Sequence, residues 1–196
     1  MNYELIVIGA SWGGLSAVGE ILAALPADTD AAVVVAQHRR VDTVNGGLAG
    51  LLQLRATLPV ADVDDKAPIE RGQVYLAPPD YHLLIEQGYF SLSKDAHVHY
   101  ARPSIDVLFQ SAADAYRERV IGVILTGANA DGAHGLAEVK RRGGVTVVQD
   151  PGTAERREMP AAALALTAAD AVLPLAEIGP FLYGLVCSPT ESRVET

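Results

Sequence analysis

The chain has 196 residues, of which 24 are acidic and 15 basic, giving a formal charge of −9; 49% are hydrophobic, 20% charged and 6% aromatic. A chain of this size and balance forms one globular domain that buries roughly 70% of its unfolded surface, which excludes bulk disorder. The acidic excess and the scarcity of rings exclude nucleic acid, no apolar run reaches the roughly 20 residues of a membrane helix, and Met1-Asn2-Tyr3-Glu4 lacks the basic segment of a signal peptide, so a cytoplasmic protein without membrane insertion is expected.

Along the chain, short apolar runs alternate with segments of helical period, an α/β pattern. Glu4 to Gly9 reads as a buried strand, and Leu15, Val18, Leu22 and Leu25 mark a helix that ends before Pro26. Ala31 to Ala36 is a second apolar strand, which places His38 at its carboxyl end, and a helix follows through Leu48, Leu51 and Leu52. From about residue 56 to 101 the reading is an antiparallel excursion: Val74 to Ala77, His82 to Ile85 and Tyr89 to Ser93 as strands, with Gln87-Gly88 as a hairpin turn. Pro103-Ser104 opens a helix to about Glu118, Val120 to Leu125 is a buried strand, and the loop 126–132 leads into a helix from Ala133 to Arg142. A strand at Val145 to Gln149, a helix from Met159 to Thr167, a short strand at Ala171 to Leu173 and a helix from Ile178 to Leu185 complete a domain spanning 1–187; residues 188–196 read as a polar tail. The single cysteine, Cys187, has no intrachain disulfide partner, and no Cys/His cluster has the spacing of a structural zinc site, so no metal is expected.

In an open parallel sheet, ligands sit beyond the carboxyl ends of the strands. The loops after the first strand, the second strand and the Val120 strand contain Ser11, His38 and Asp131, the residue types of an acyl-transfer triad. Gly9-Ala10-Ser11-Trp12-Gly13-Gly14 satisfies the G-x-S-x-G elbow, where a tight turn lifts the serine hydroxyl and the helix behind it offers N–H donors to an oxyanion. The same glycine pattern also suits a plain connector or a phosphate cradle. A Walker loop is excluded because Leu15-Ser16 follows Gly14, and a dinucleotide fingerprint is disfavoured by Ser11 and by Gln37-His38 where an acidic residue would hold a ribose. The order Ser11, His38, Asp131 and an elbow after the first strand differ from an ordinary α/β-hydrolase.

These letters resemble the chemotaxis protein-glutamate methylesterases in their catalytic, CheB-type domain. The motifs are Gly9-Ala10-Ser11-x-Gly13-Gly14, Gln37-His38, Val74 to Pro79, Arg102 to Phe109, Leu125-Thr126-Gly127 with Asp131-Gly132, and Met159-Pro160; they follow the family's order from about residue 4 to 186. The resemblance implies a doubly wound, mostly parallel sheet flanked by helices in three layers, with a small antiparallel hairpin. It implies Ser11 as nucleophile, His38 as base and Asp131 as orienting acid, with Trp12, Gly13, Thr126 and Ala128 around the oxyanion and substrate pocket. It implies a γ-glutamyl methyl ester or a glutamine amide on a long receptor helix as substrate, the methyl-accepting chemotaxis receptor as partner, and no cofactor. The alternatives are a serine hydrolase of the same fold with another ester or protein substrate, and a catalytically inactive binding module. Three departures stand out: Trp12 where the family has a small or hydroxyl residue, Ala128-Asn129 where it has Met-Gly, and a start at the first strand of the catalytic domain with no receiver domain ahead of it.

Other residues invite a role. Arg39-Arg40 follow His38 and could attract an acidic helix, though a solvated turn is the simpler reading. His97 and His99 alternate as on a strand face without a third metal ligand, and His134 suits a surface or capping role. Asp80, Asp106 and Asp150 suit turns and helix starts. Arg156-Arg157 could border the cleft or stand solvated.

Overall fold

The computed structural model of the chain describes residues 3–38 and 47–187; Arg39, Arg40 and the tail 188–196 lie outside them. The first strand, β1 (Leu5–Ala10), is buried along its whole length, as its uninterrupted apolar letters require of a strand covered on both faces. It is followed by α1 (Gly14–Ala23), β2 (Ala32–Gln37), α2 (Gly47–Gln53), β3 (Val60–Asp62), β4 (Val74–Leu76), β5 (His82–Glu86) and β6 (Tyr89–Ser93). Next come α3 (Ile105–Tyr116), a short 3-10 turn, β7 (Val120–Ile124), α4 (Ala133–Arg141), β8 (Val145–Gln149), α5 (Glu158–Leu166), β9 (Ala171–Leu173) and α6 (Leu175–Val186).

Seven strands form one sheet in the order β3-β4-β2-β1-β7-β8-β9, and every pairing in it is parallel. Side chains of α1, α2 and α6 pack on one face of the sheet, and those of α3, α4 and α5 with the β5–β6 hairpin on the other, giving three layers with two hydrophobic cores. No helix among the described residues is long and apolar enough to cross a membrane.

The middle of the chain departs from the sequence expectation. Only β5 and β6 pair antiparallel; β4 extends the parallel sheet beside β2, and β3, with no strong apolar pattern, joins it at the edge. Short apolar triplets such as Val74-Tyr75-Leu76 carry no information about direction, so proximity to a hairpin in sequence misled. Likewise His97 and His99 do not share a strand face: Val98 and Ala101 bond each other across a two-residue turn in which His99 and Tyr100 both adopt positive φ.

The connections run from β1 to β2 on one side and return to β7 on the other, so the strand order reverses between β1 and β7. This is the crevice where an open α/β sheet admits ligands. Two glycines shape its floor. A Cβ at Gly9 would stand 2.3 Å from Ile105 Cγ2, and one at Gly132 would stand 2.6 Å from the same atom. Ile105, the first residue of α3, therefore wedges between β1 and the turn into α4, bringing the amino end of α3 to the crevice. Gly132 also adopts φ +96°, which an L side chain resists.

Gly9→Ala should lower stability by about 1–3 kcal/mol through overpacking against Ile105, and Gly132→Ala should lose more because backbone strain adds to the clash. Urea unfolding of the two variants checks both the losses and their order.

Candidate active site

Ser11, His38 and Asp131 follow three neighbouring strands. Ala10 pairs with Gln37 and Gly9 with Ile124, so Ser11 and His38 are the first residues beyond the register of β1 and β2, strands about 4.8 Å apart. The His38 amide donates to the Ala10 carbonyl (3.0 Å) and the Ser11 amide to the Thr126 carbonyl (3.0 Å), extending the ladder one step past each strand.

Asp131 is fully buried. Its Oδ1 accepts from Ser104 Oγ (2.8 Å) and the Asp106 amide (3.0 Å), and its Oδ2 from the Ile105 amide (2.8 Å) and His38 Nε2 (2.7 Å). Two of the four partners are backbone amides, which can only donate, and the carboxylate occupies the positive amino end of α3; ionised there, it accepts from the Ser104 hydroxyl and His38 Nε2 as well. Burial alone would push its pKa up; the hydrogen bond from His38 and the amides of Asp106 and Ile105 together outweigh it and hold the value below 3.8. Because Asp131 accepts from Nε2, that nitrogen carries the proton and the lone pair of His38 lies on Nδ1. Asn129 agrees with this tautomer: its Oδ1 accepts from the Asp131 amide (3.2 Å), which turns its Nδ2 donor toward His38 Nδ1 at 3.4 Å.

The Ser11 hydroxyl makes no hydrogen bond to His38 among the described residues. Its loop is nonetheless fixed from three sides. Gln37 Nε2 donates to the Ser11 carbonyl (2.7 Å), the Gly14 amide donates to the same carbonyl (2.9 Å), and Thr126 Oγ1 donates to the Trp12 carbonyl (2.9 Å). The Gly127 amide is taken by the Arg156 carbonyl (3.1 Å), whereas the amides of Trp12 and Ala128 donate to no described residue. Gly13 is the left-handed residue that starts α1. A cleft of about 540 Å³ opens from Ser11 along Gly13, Gly14 and Leu15 toward Leu51, Leu54 and Arg55. The arrangement offers a hydroxyl, an imidazole whose Nδ1 meets only the long Asn129 contact, and two amides without a partner among the described residues, the parts that acyl transfer uses.

The remaining sequence candidates divide. Asp106 is buried, accepts from the Gly135 amide (2.7 Å) and has His99 Nε2 at 3.4 Å, with His134 stacked beyond His99. Desolvation, reinforced by the charge of Asp131, raises its pKa. Asp80 pairs with Arg102, and Asp150 closes a turn on the Gly152 amide. Among the described residues no group of three potential ligands could hold a metal. Three contributors are not among the site residues expected from the sequence, although Ser104 is read there as opening a helix. Ser104 caps α3 and donates to Asp131, Gln149 receives the Thr126 amide on its Oε1, and Glu155 meets Trp12. Ser104, as a serine before a helical run, carried the only usable signal.

A three-layer α/β domain with a serine elbow and a His–Asp pair at the reversal of its strand order is of the hydrolase kind, and the comparisons narrow it. The profile described as CheB methylesterase matches residues 6–182. A Leptospira interrogans protein, provisionally named a protein-glutamate methylesterase/protein-glutamine glutaminase, is 44% identical over 98% of this chain and 100% of its own length. An Anaeromyxobacter dehalogenans protein named protein-glutamate methylesterase/protein-glutamine glutaminase 2 is 42% identical over 89% of this chain, which spans 51% of that relative. The crystal structure of the Thermotoga maritima CheB methylesterase catalytic domain superposes with a TM-score of 0.90 at 33% identity, covering 95% of this chain and all of that one. The chain belongs to the CheB methylesterase family.

The two buried aspartates should respond oppositely to neutralisation. Asp131→Asn turns one oxygen into a donor facing donors and should lose about 1.5–3 kcal/mol at pH 7. The lowered folded value means that this stabilisation is complete above the unfolded value of 3.8 and is lost as pH falls through the folded one, so the gap between variant and wild type should close below about pH 4. Asp106→Asn keeps an oxygen for Gly135 and removes a disfavoured charge, so it should be neutral or stabilising at pH 7. Urea midpoints at pH 7 and in acid measure both.

Proposed function

We propose that this protein is a cytoplasmic protein-glutamate methylesterase and protein-glutamine glutaminase acting on chemotaxis receptors, with Ser11, His38 and Asp131 as its triad. The observation that carries the reading is the His38–Asp131 pair, held one strand away from a serine elbow, in a chain of the CheB methylesterase family.

In this mechanism His38 Nδ1 takes the Ser11 proton while Oγ bonds to the γ-carbonyl carbon of a glutamyl methyl ester. The amides of Trp12 and Ala128 donate to the oxyanion of the tetrahedral intermediate. Nδ1 then returns the proton to the departing methoxide, giving methanol and an acyl-Ser11, which water hydrolyses by the same proton path to a free glutamate. A glutamine side chain follows the same course with ammonia as leaving group. Asp131, already ionised, stabilises the imidazolium in both halves without accepting its proton. Backbone N–H donors explain how the Met-to-Ala exchange at position 128 is compatible with activity, since the donor belongs to the main chain.

Methanol release from a methylated receptor is the direct assay. Ser11→Ala should reduce turnover on the order of 10⁶-fold and Asp131→Asn about 10⁴-fold. Undiminished release by Ser11→Ala would remove the triad and with it this reading.

A further inference from the structure

Trp12 directly follows the proposed nucleophile, yet 59% of it is exposed. Its ring is nonetheless braced. The indole N–H donates to Glu155 Oε1 (2.7 Å), the Arg156 guanidinium lies 5.3 Å from the ring centroid, and the Trp12 carbonyl accepts from Thr126 Oγ1 (2.9 Å). Glu155 also fills the space beside Gly13, where a Cβ would stand 2.5 Å from its carboxylate. The Arg156 backbone is in turn tied to Thr126 and Gly127, so the brace is anchored in the loop that carries Ala128.

A large exposed aromatic held in one orientation has surrendered its rotamer freedom before any partner arrives, which is the property of an interface anchor. Leu15, also exposed, continues the apolar surface into the cleft that Ser11 lines. Consecutive Cα atoms lie about 3.8 Å apart, and residues three or four apart on a helix present Cβ atoms about 5–6 Å from one another on one face. A helical substrate that delivers a glutamyl side chain to Ser11 carries another side chain one turn away, at a spacing comparable to that between adjacent residues such as Ser11 and Trp12.

We infer that Trp12 is a specificity-determining platform that receives an apolar side chain one helical turn from the scissile glutamyl group, and so selects which receptor positions are processed. The inference rests on the methylesterase reading above. A serine there gains little from the indole, whereas an aliphatic side chain buries surface against the ring.

The test uses two helical peptides, each with one γ-methyl glutamate and differing only in Leu or Ser one turn away. By methanol release, wild type should favour the Leu peptide by roughly tenfold or more in kcat/KM, and Trp12→Ser should bring the ratio to within about twofold of unity. Because the ratio is taken within one preparation, partial loss of folded protein leaves it unchanged. An equal preference in wild type and Trp12→Ser, or none in wild type, overturns the platform. If neither peptide releases methanol, the methylesterase reading fails by itself, and the platform is read through fluorescence, since Trp12 is the chain's only tryptophan. A saturable emission change at roughly tenfold lower concentration of the Leu peptide than of the Ser peptide then supports it; equal responses, or no response to either, overturn it.

Discussion

The Asp131 carboxylate joins three parts of the chain: the amino end of α3, the loop after β7 and the imidazole that follows β2. An ionised carboxylate with no exposure is strongly disfavoured unless each lone pair finds a donor, and here each does. Two backbone amides at a helix terminus and the capping hydroxyl of Ser104 supply three of the donors. Only the fourth position is open to His38, and only as a donor. Helix capping, burial and imidazole tautomer are thus one arrangement, and the wedge of Ile105 between Gly9 and Gly132 brings the helix end close enough for it to exist.

The loops around Ser11 are held largely by side chains bonding backbone. Gln37 holds the Ser11 and His38 carbonyls, Thr126 links the Trp12 carbonyl to the Arg156 amide, and the Met159 amide donates to the Gly127 carbonyl while its side chain covers the glycine. These bonds engage the amides and carbonyls around the loop, whereas the amides of Trp12 and Ala128 donate to no described residue. In the proposed mechanism, a loop rim so cross-braced would keep its donors in place without reorganising when charge develops on a substrate oxygen.

Much of this was legible in the letters because each feature has a local cause. The apolar runs of β1, β2 and β7 mark a two-sided parallel sheet, and glycines around Ser11 mark the elbow. Three chemically matched residues in the loops after those runs, Ser11 and His38 one step past β1 and β2 and Asp131 late in the loop from β7 to α4, point to a shared rim. The short strands β3 and β4 were less legible, since three residues cannot declare a partner or a direction and the sheet recruits them through tertiary contact. Ser104, Gln149 and Glu155 escaped for a related reason: a serine before a helix, a glutamine at a strand end and a glutamate in a loop are ordinary locally. Their importance comes only from what lies across the crevice. Asp106 shows the converse. Its place in the first turn of α3 suggests a helix-start carboxylate, but its oxygen turns to the Gly135 amide of α4, where burial and the adjacent charge of Asp131 oppose its ionisation.

Asn129 bears on how the chain accommodates its own departures. A glycine there would carry no side-chain donor; the asparagine folds back to bond the Asp131 amide and aims its donor at His38 Nδ1. That contact is long, 3.4 Å, and neutral, so its net worth is at most about 1 kcal/mol. A stronger donor would compete with the serine hydroxyl for the same lone pair. A weak one can keep the ring from turning while the cleft is empty and give way when Ser11 presents its proton. In the proposed mechanism, Asp131 on one side, with a short charged bond, would fix which nitrogen acts as base, and Asn129 on the other, with a weak one, would leave that nitrogen available.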